Sequence, residues 1–200
     1  MQKFKPFEYM LINLANNAGL DKETYATRLQ WANAHLDELE SLVQQADEPE
    51  LFQKDILNIR RAQAKQATGT IVQFDAVCSG IQLLSALTRC RSGAMATGLI
   101  NTGARPNAYL EVHKEMQEIL GQGFDISYKN IKQCVMTSVY GSKQTPKDIL
   151  GEGVMLNAFN RATKKVAPGA FAMLEILLAT WNKEALYHEW KLPDGYQAHV

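Results

Sequence analysis

The sequence predicts a mostly α-helical protein with a small β component, and three observations carry that expectation. Apolar residues recur at three- and four-residue spacing in several stretches, which is the stripe that an amphipathic helix buries. One short stretch, TIVQFD at residues 70–75, is instead rich in β-branched and aromatic residues and reads as a strand. LPDGY near the end is a turn signal. At 200 residues the chain can bury a substantial core as one large domain or two small ones.

In chain order, the first long helix follows from Tyr25, Leu29, Ala32, Leu36, Leu39 and Val43, which step by fours and threes. Asp21 is its expected N-cap and Asp47-Glu48-Pro49 its stop. A second helix is expected over 50–65, ending in the basic cluster Arg60, Arg61 and Lys65. The strand at 70–75 runs into SGIQLLSALTR, where Ser79 is a candidate cap and Ile81, Leu84 and Leu87 form the apolar side. A Gly-rich irregular patch at 93–103 follows, then helices at 106–120, 127–140 and 147–164. Pro168 suits the first turn of a last long helix, whose Phe171, Leu174, Leu178, Trp181 and Ala185 again step by three and four. The best domain boundary lies between residues 93 and 105.

Nearly half the residues are apolar and one fifth are charged, as in ordinary globular proteins. The formal net charge is zero, so no global basic signature marks a nucleic-acid binder. The distribution is uneven, however. Residues 1–50 hold four Lys/Arg against nine Asp/Glu, and residues 54–147 hold twelve against six. That basic middle either attracts polyanions or is neutralised by the acidic first part packed beside it. Cys78, Cys90 and Cys134 lack CxxC spacing, which suggests neither a disulfide framework nor a zinc site and suits a reducing compartment. MQKFKPFEYML lacks a signal-peptide pattern, and AFAMLEILLATW is too short for a membrane span and carries Glu175. A soluble, cytoplasmic protein without a membrane partner is expected.

Two places could carry chemistry. In KQCVMTSVYGSK, residues 132–143, Lys132, Met136 and Tyr140 lie four apart, near one face of a helix and spanning roughly 12 Å. That is about the length of a nucleoside triphosphate, although spacing alone favours the ordinary reading, a core stripe with a solvated lysine. In VQFDAVCSGIQ, Asp75 stands where the expected strand meets a helix. A carboxylate on such an edge, with the Ala76 carbonyl beside it, offers hard oxygen donors for a divalent cation. The ordinary alternative is that Asp75 caps the following turn.

FDAVCSGIQLLSAL resembles motif A of the single-subunit, phage-type RNA polymerases of bacteriophages and mitochondria, and KQCVMTSVYGSK resembles their motif B, Arg-x3-Lys-x3-Met-Thr-x2-Tyr-Gly. INLANNAGLDKETYATRLQWANAHLDEL is similar to the segment entering the palm in that family, and LPDGYQAHV to a later turn between fingers and palm. The resemblance implies a partial right-hand polymerase, with residues 1–100 a palm portion holding motif A and 101–200 a fingers portion holding motif B. It also implies roles. Asp75 and the Ala76 carbonyl would hold Mg2+, and Lys132 would pair with the triphosphate. Met136 would pack in the nucleotide pocket, Tyr140 would sit by the sugar and base, and Gly141 would let the template strand approach. DNA template, nascent RNA and nucleoside triphosphates are the implied partners.

The pattern departs from the family in several places. Tyr128 stands where the family has arginine; its neighbour Lys129 is the available substitute but lies about 100° around the helix. Gln133, Ala76 and Leu83 replace a basic residue, a glycine and a histidine. No His-Asp dipeptide supplies the second carboxylate that two-metal phosphoryl transfer needs. The expectation is therefore part of a DNA-directed RNA polymerase, catalytically incomplete alone, that needs a second subunit or a further segment carrying the other catalytic Asp. The alternatives are a relative of family-A DNA polymerases and a non-catalytic remnant that only binds.

Overall fold

The computed structural model describes residues 3–121, 123 and 125–200. The described chain is a set of helices in two packed groups, closed by a short hairpin. In the first group α1 (Pro6–Ala15) begins with proline at its first turn, and the Glu8 carboxylate accepts the Lys5 backbone N–H. A π-helical turn, Asn16–Leu20, continues it to Gly19, whose φ of +102° ends the run.

The single long helix expected from Tyr25 is broken in two, α2 (Tyr25–Ala34) and a 3-10 segment (Leu39–Gln45). Its cap is Thr24, whose hydroxyl accepts from the Thr27 N–H, and not Asp21. The break lets Leu39 point into the same core as Ala32 and the facing helix α3 (Pro49–Gln63). In α3, Phe52, Ile56 and Ile59 are buried at three- and four-residue spacing. They close on Leu11 and Leu14 of α1. At the end of α3, Arg60 grips Glu40 through two N–H donors at 2.9 and 2.8 Å. That pair neutralises one of the basic cluster's charges against the acidic first part.

Residues 70–75 form no strand. A strand needs a hydrogen-bonding neighbour, and the only described pairing lies near the C-terminus. The segment has no regular secondary structure and is mostly exposed; Ile71 is 78% exposed. It is held by a hydrogen bond from the Gln73 N–H to Asn13 Oδ1 and by Phe74, which packs edge-on to Tyr9.

The second group starts with α4 (Ser79–Thr88), capped by the backbone of Cys78 with Ser79 already inside the helix. α5 (Arg91–Ala96) occupies the start of the expected irregular patch. α6 (Ala108–Leu120) packs against α9 (Val154–Val166), and α4 packs against α10 (Pro168–Ala179). α7 (Tyr128–Ser138) packs against α6 and α8 (Gln144–Leu150), and α8 also touches α9. The helix expected over 147–164 is split at Gly151 and Gly153, both at positive φ. α10 ends at Ala179, before Trp181 and Ala185, and its second half stays exposed. The shared core runs from Cys78, Ile81 and Leu84 through Val112, Met116, Ile131 and Val135 to Phe159 and Phe171.

β1 (Glu189–Lys191) pairs antiparallel with β2 (Gln197–His199), Trp190 opposite Ala198. LPDGY makes the turn between them, with the Leu192 N–H donating to the Tyr196 carbonyl. The small β component is thus at this turn and not at 70–75. No described helix is long and apolar enough to cross a membrane.

Candidate nucleotide site

α7 separates its residues by face. Ile131, Cys134, Val135 and, just beyond the helix, Val139 are buried, whereas Lys129, Lys132, Met136 and Tyr140 are exposed. The stripe of Lys132, Met136 and Tyr140 is therefore an open face and not the core side. After Val139 the chain turns back. The Tyr140 and Ser142 N–H groups both donate to the Thr137 carbonyl, with Gly141 at φ +88° between them. Only glycine takes that conformation without strain.

The segment 76–80 meets α7 from the other side. Cys78 at φ +56° turns the chain into α4. Gly80 then permits close approach, because a Cβ there would lie 2.7 Å from Val139 Cγ2. Ser79 Oγ and Tyr140 Oη share a hydrogen bond of 3.0 Å across 61 positions of sequence. Ala76, Cys78, Ser79 and Gly80, with Tyr109, Met136, Val139 and Tyr140, line a pocket of about 170 Å³. Complete ligand sites are commonly about 300–1,000 Å³. At about 170 Å³ this pocket is smaller than that range, and it opens beside the exposed face of α7.

Of the residues singled out in the sequence, Ala76, Met136 and Tyr140 meet in this pocket. Lys132 stands one turn before Met136, with Nζ 5.7 Å from the centroid of the Tyr109 ring, within cation–π range. Asp75 adjoins Ala76 at the pocket edge and is exposed; among the described residues it has no hydrogen-bond or ion-pair partner, so it caps no turn. Lys129 is exposed a turn before Lys132, and Gly141 flanks Tyr140 outside the pocket lining. Tyr128, where the family has arginine, is instead tied to Asn107, whose Nδ2 donates to the Tyr128 hydroxyl at 3.1 Å.

Sequence reasoning missed Tyr109, and it did not recognise Cys78 and Ser79 as pocket residues. Tyr109 sits at an unremarkable position of an amphipathic helix, and only packing brings it to Lys132. Burial, reinforced by the neighbouring Cys78 thiol, pushes the Tyr109 phenol well above its ordinary pKa. It therefore stays neutral beside Lys132 and adds no rival anion. Burial also pushes the Cys78 thiol up.

Asp75 and the Ala76 carbonyl offer the hard oxygen donors that magnesium takes. Among the described residues, however, no group of three or more His, Cys, Asp or Glu side chains gathers into a cluster that could hold a metal. These two donors would be part of a ligand set.

The motif similar to the family's palm-entry segment has a structural use. Arg28, only 8% exposed, donates to Asn16 Oδ1 and to the Asp21 and Glu23 carbonyls, fixing the loop after Gly19.

A search of the curated proteins finds no match. The family model described as DNA-dependent RNA polymerase matches residues 4–148. That span covers more than half of the chain and contains both the 70–80 segment and α7. The chain belongs to the phage-type DNA-dependent RNA polymerase family.

Proposed function

We propose that this chain supplies the palm portion with motif A (1–100) and the fingers portion with motif B (101–200) of a DNA-directed RNA polymerase. The reaction is attack of an RNA 3′-hydroxyl on the α-phosphate of a ribonucleoside triphosphate, directed by a DNA template, with release of pyrophosphate. One observation supports this reading above others. The segment after Asp75 and the open face of α7 converge on one pocket, joined by Ser79 and Tyr140.

In this reading the Lys132 ammonium binds the triphosphate and offsets charge on the departing pyrophosphate, as a mobile point charge on an exposed stem. Met136 presents an adaptable apolar surface to the nucleotide. The Tyr140 hydroxyl, held by Ser79, borders the sugar and helps select ribose, and Gly141 leaves room for the template backbone. Lys129 adds positive charge in place of the arginine replaced by Tyr128. Asp75 and the Ala76 carbonyl would hold magnesium, which when bound would supply charge neutralisation and activation of the 3′-hydroxyl. The second carboxylate comes from a second polymerase subunit or from a further segment.

The test mixes the chain with subunits encoded in the same genome and measures magnesium-dependent, template-directed RNA synthesis. Asp75→Ala should abolish synthesis and metal-dependent nucleotide binding. Lys132→Ala should weaken triphosphate use at least several-fold (on the order of 1 kcal/mol or more) without altering the unfolding midpoint. Tyr140→Phe should narrow the preference for ribonucleotides, whereas indifference to the 2′-hydroxyl in the unaltered chain would favour a DNA polymerase. No synthesis under any complementation, with nucleotide binding untouched by Asp75→Ala, would leave a non-catalytic remnant.

A further inference from the structure

We infer that Asp55 is a positioning residue for Asp75, acting through Asn13 on the backbone at Gln73; this rests on the reading of Asp75 as a metal-binding carboxylate. The segment 70–75 has no strand beside it among the described residues, so its backbone has no ladder to fix it. It is pinned at two consecutive residues just before Asp75. The Gln73 N–H donates to Asn13 Oδ1 at 2.8 Å. Phe74 packs against the rings of Tyr9 and Tyr25, with centroids 5.5 and 5.9 Å away.

The Asn13 amide holds Gln73 only if its oxygen faces that N–H. A carboxamide turned over would present its NH2 to another donor. Asp55 decides the orientation. Its Oδ2 accepts from Asn13 Nδ2 at 2.7 Å and from Asn17 Nδ2 at the same distance. Asn13 is 4% exposed and Asp55 3% exposed, so water does not supply an easy substitute for either partner. The chain of bonds runs from a carboxylate on α3, through an amide on α1, to the backbone two residues before Asp75. A carboxylate does not belong in that interior for stability alone. Its Oδ1 has no partner among the described residues, and burial holds its pKa above the ordinary carboxylate range. A group kept at that cost, where apolar side chains replacing the whole Asp55–Asn13–Asn17 set could pack without it, points to a task in placing its neighbours.

The experiment uses the full chain and reads two signals, backbone amide hydrogen exchange at Gln73 and binding of Mn2+ with a ribonucleoside triphosphate. Asp55→Leu should speed Gln73 exchange about tenfold and weaken Mn2+ binding several-fold, while amides in the middle of α9 keep their rates. Asp55→Asn retains an acceptor oxygen for Asn13 and should preserve both signals. If Asp55→Leu does not fold, Asn13→Ala replaces it, with the same expected changes. Unchanged Gln73 exchange in a folded Asp55→Leu or Asn13→Ala chain overturns the proposal, as does damage by Asp55→Asn equal to that by Asp55→Leu. Asp75→Asn separates the two ideas. If it leaves Mn2+ binding intact, the metal role of Asp75 fails and takes the purpose of the anchor with it. If it weakens binding while Gln73 ignores Asp55, only the role of Asp55 falls.

Discussion

Replacing Gly80 with alanine tests the contact that brings the two motif segments together. The added methyl would lie 2.7 Å from Val139 Cγ2 and 2.9 Å from Val139 Cβ. Val139 cannot swing aside, because it is 5% exposed and β-branched, with few χ1 choices. Two effects oppose each other. Alanine in place of glycine in a helix is worth up to about 1 kcal/mol, and less here in the first turn of α4. Overpacking a close contact costs about 1–3 kcal/mol. The second should win, leaving Gly80→Ala less stable by about 1–2 kcal/mol, with Tyr140 displaced from Ser79. Val139→Ala alone leaves a small cavity and should also cost about 1–2 kcal/mol. Together, the shorter side chain at 139 removes the 2.7 Å clash with Cγ2 and the added methyl fills part of the cavity, while the 2.9 Å contact with Cβ remains. Urea unfolding of the four chains should give a double variant more stable than additivity predicts, by about 0.5–1 kcal/mol. Additive losses, or a Gly80→Ala chain more stable than the original, would refute the close approach of α4 and the end of α7.

Other predictions address different parts of the chain. Arg28→Met should destabilise by about 2–4 kcal/mol in urea unfolding, because the Asp21 and Glu23 carbonyls lose their buried partner; a loss near zero would mean the loop is not held by Arg28. Burial raises the Asp55 pKa against the opposing hydrogen bonds from Asn17 and Asn13. Stability from the protonated form is thus complete below its unfolded value near 3.8 and is lost as pH rises through the folded value. Asp55→Asn should therefore gain on the original chain as pH rises from about 4 upward, and parallel stability curves would contradict this. Cys90 should react first with iodoacetamide. Partial burial raises its pKa, but the Ser92 hydroxyl and backbone N–H groups outweigh that and lower it. Burial meanwhile pushes Cys134 up to about 11 and raises Cys78 as well. Mass spectrometry of the labelled chain reads the order, and early labelling of Cys134 would show that the core of α7 opens.

Much of the fold was legible because helices are local. The helices expected at 50–65, 106–120 and 127–140 correspond to α3, α6 and α7, and Lys132, Met136 and Tyr140 share a side because residues four apart do so whatever surrounds them. Residues 70–75 misled for the opposite reason. β-branched composition states what would suit a strand, but a strand exists only when another backbone lies alongside. The helix expected from Tyr25 to Val43 was likewise broken by packing, which turns Leu39 into the same core as Ala32. At the site, Lys132, Met136 and Tyr140 could be read from one helix, and Asp75 and Ala76 from one segment. Tyr109 could not, because it arrives from a third element with no pattern of its own.

The sequence by itself determined which residues could share a face: Lys132, Met136 and Tyr140 on α7, and a short acidic segment leading into α4. Tertiary structure alone decided that these two surfaces meet, through Gly80 against Val139 and Ser79 against Tyr140. It also decided that a neutral tyrosine lies beside Lys132 and that Asp55 reaches the backbone ahead of Asp75. The reason is range. Helical periodicity acts over four residues, whereas these contacts join positions tens of residues apart, where only the packing of whole elements sets the distance.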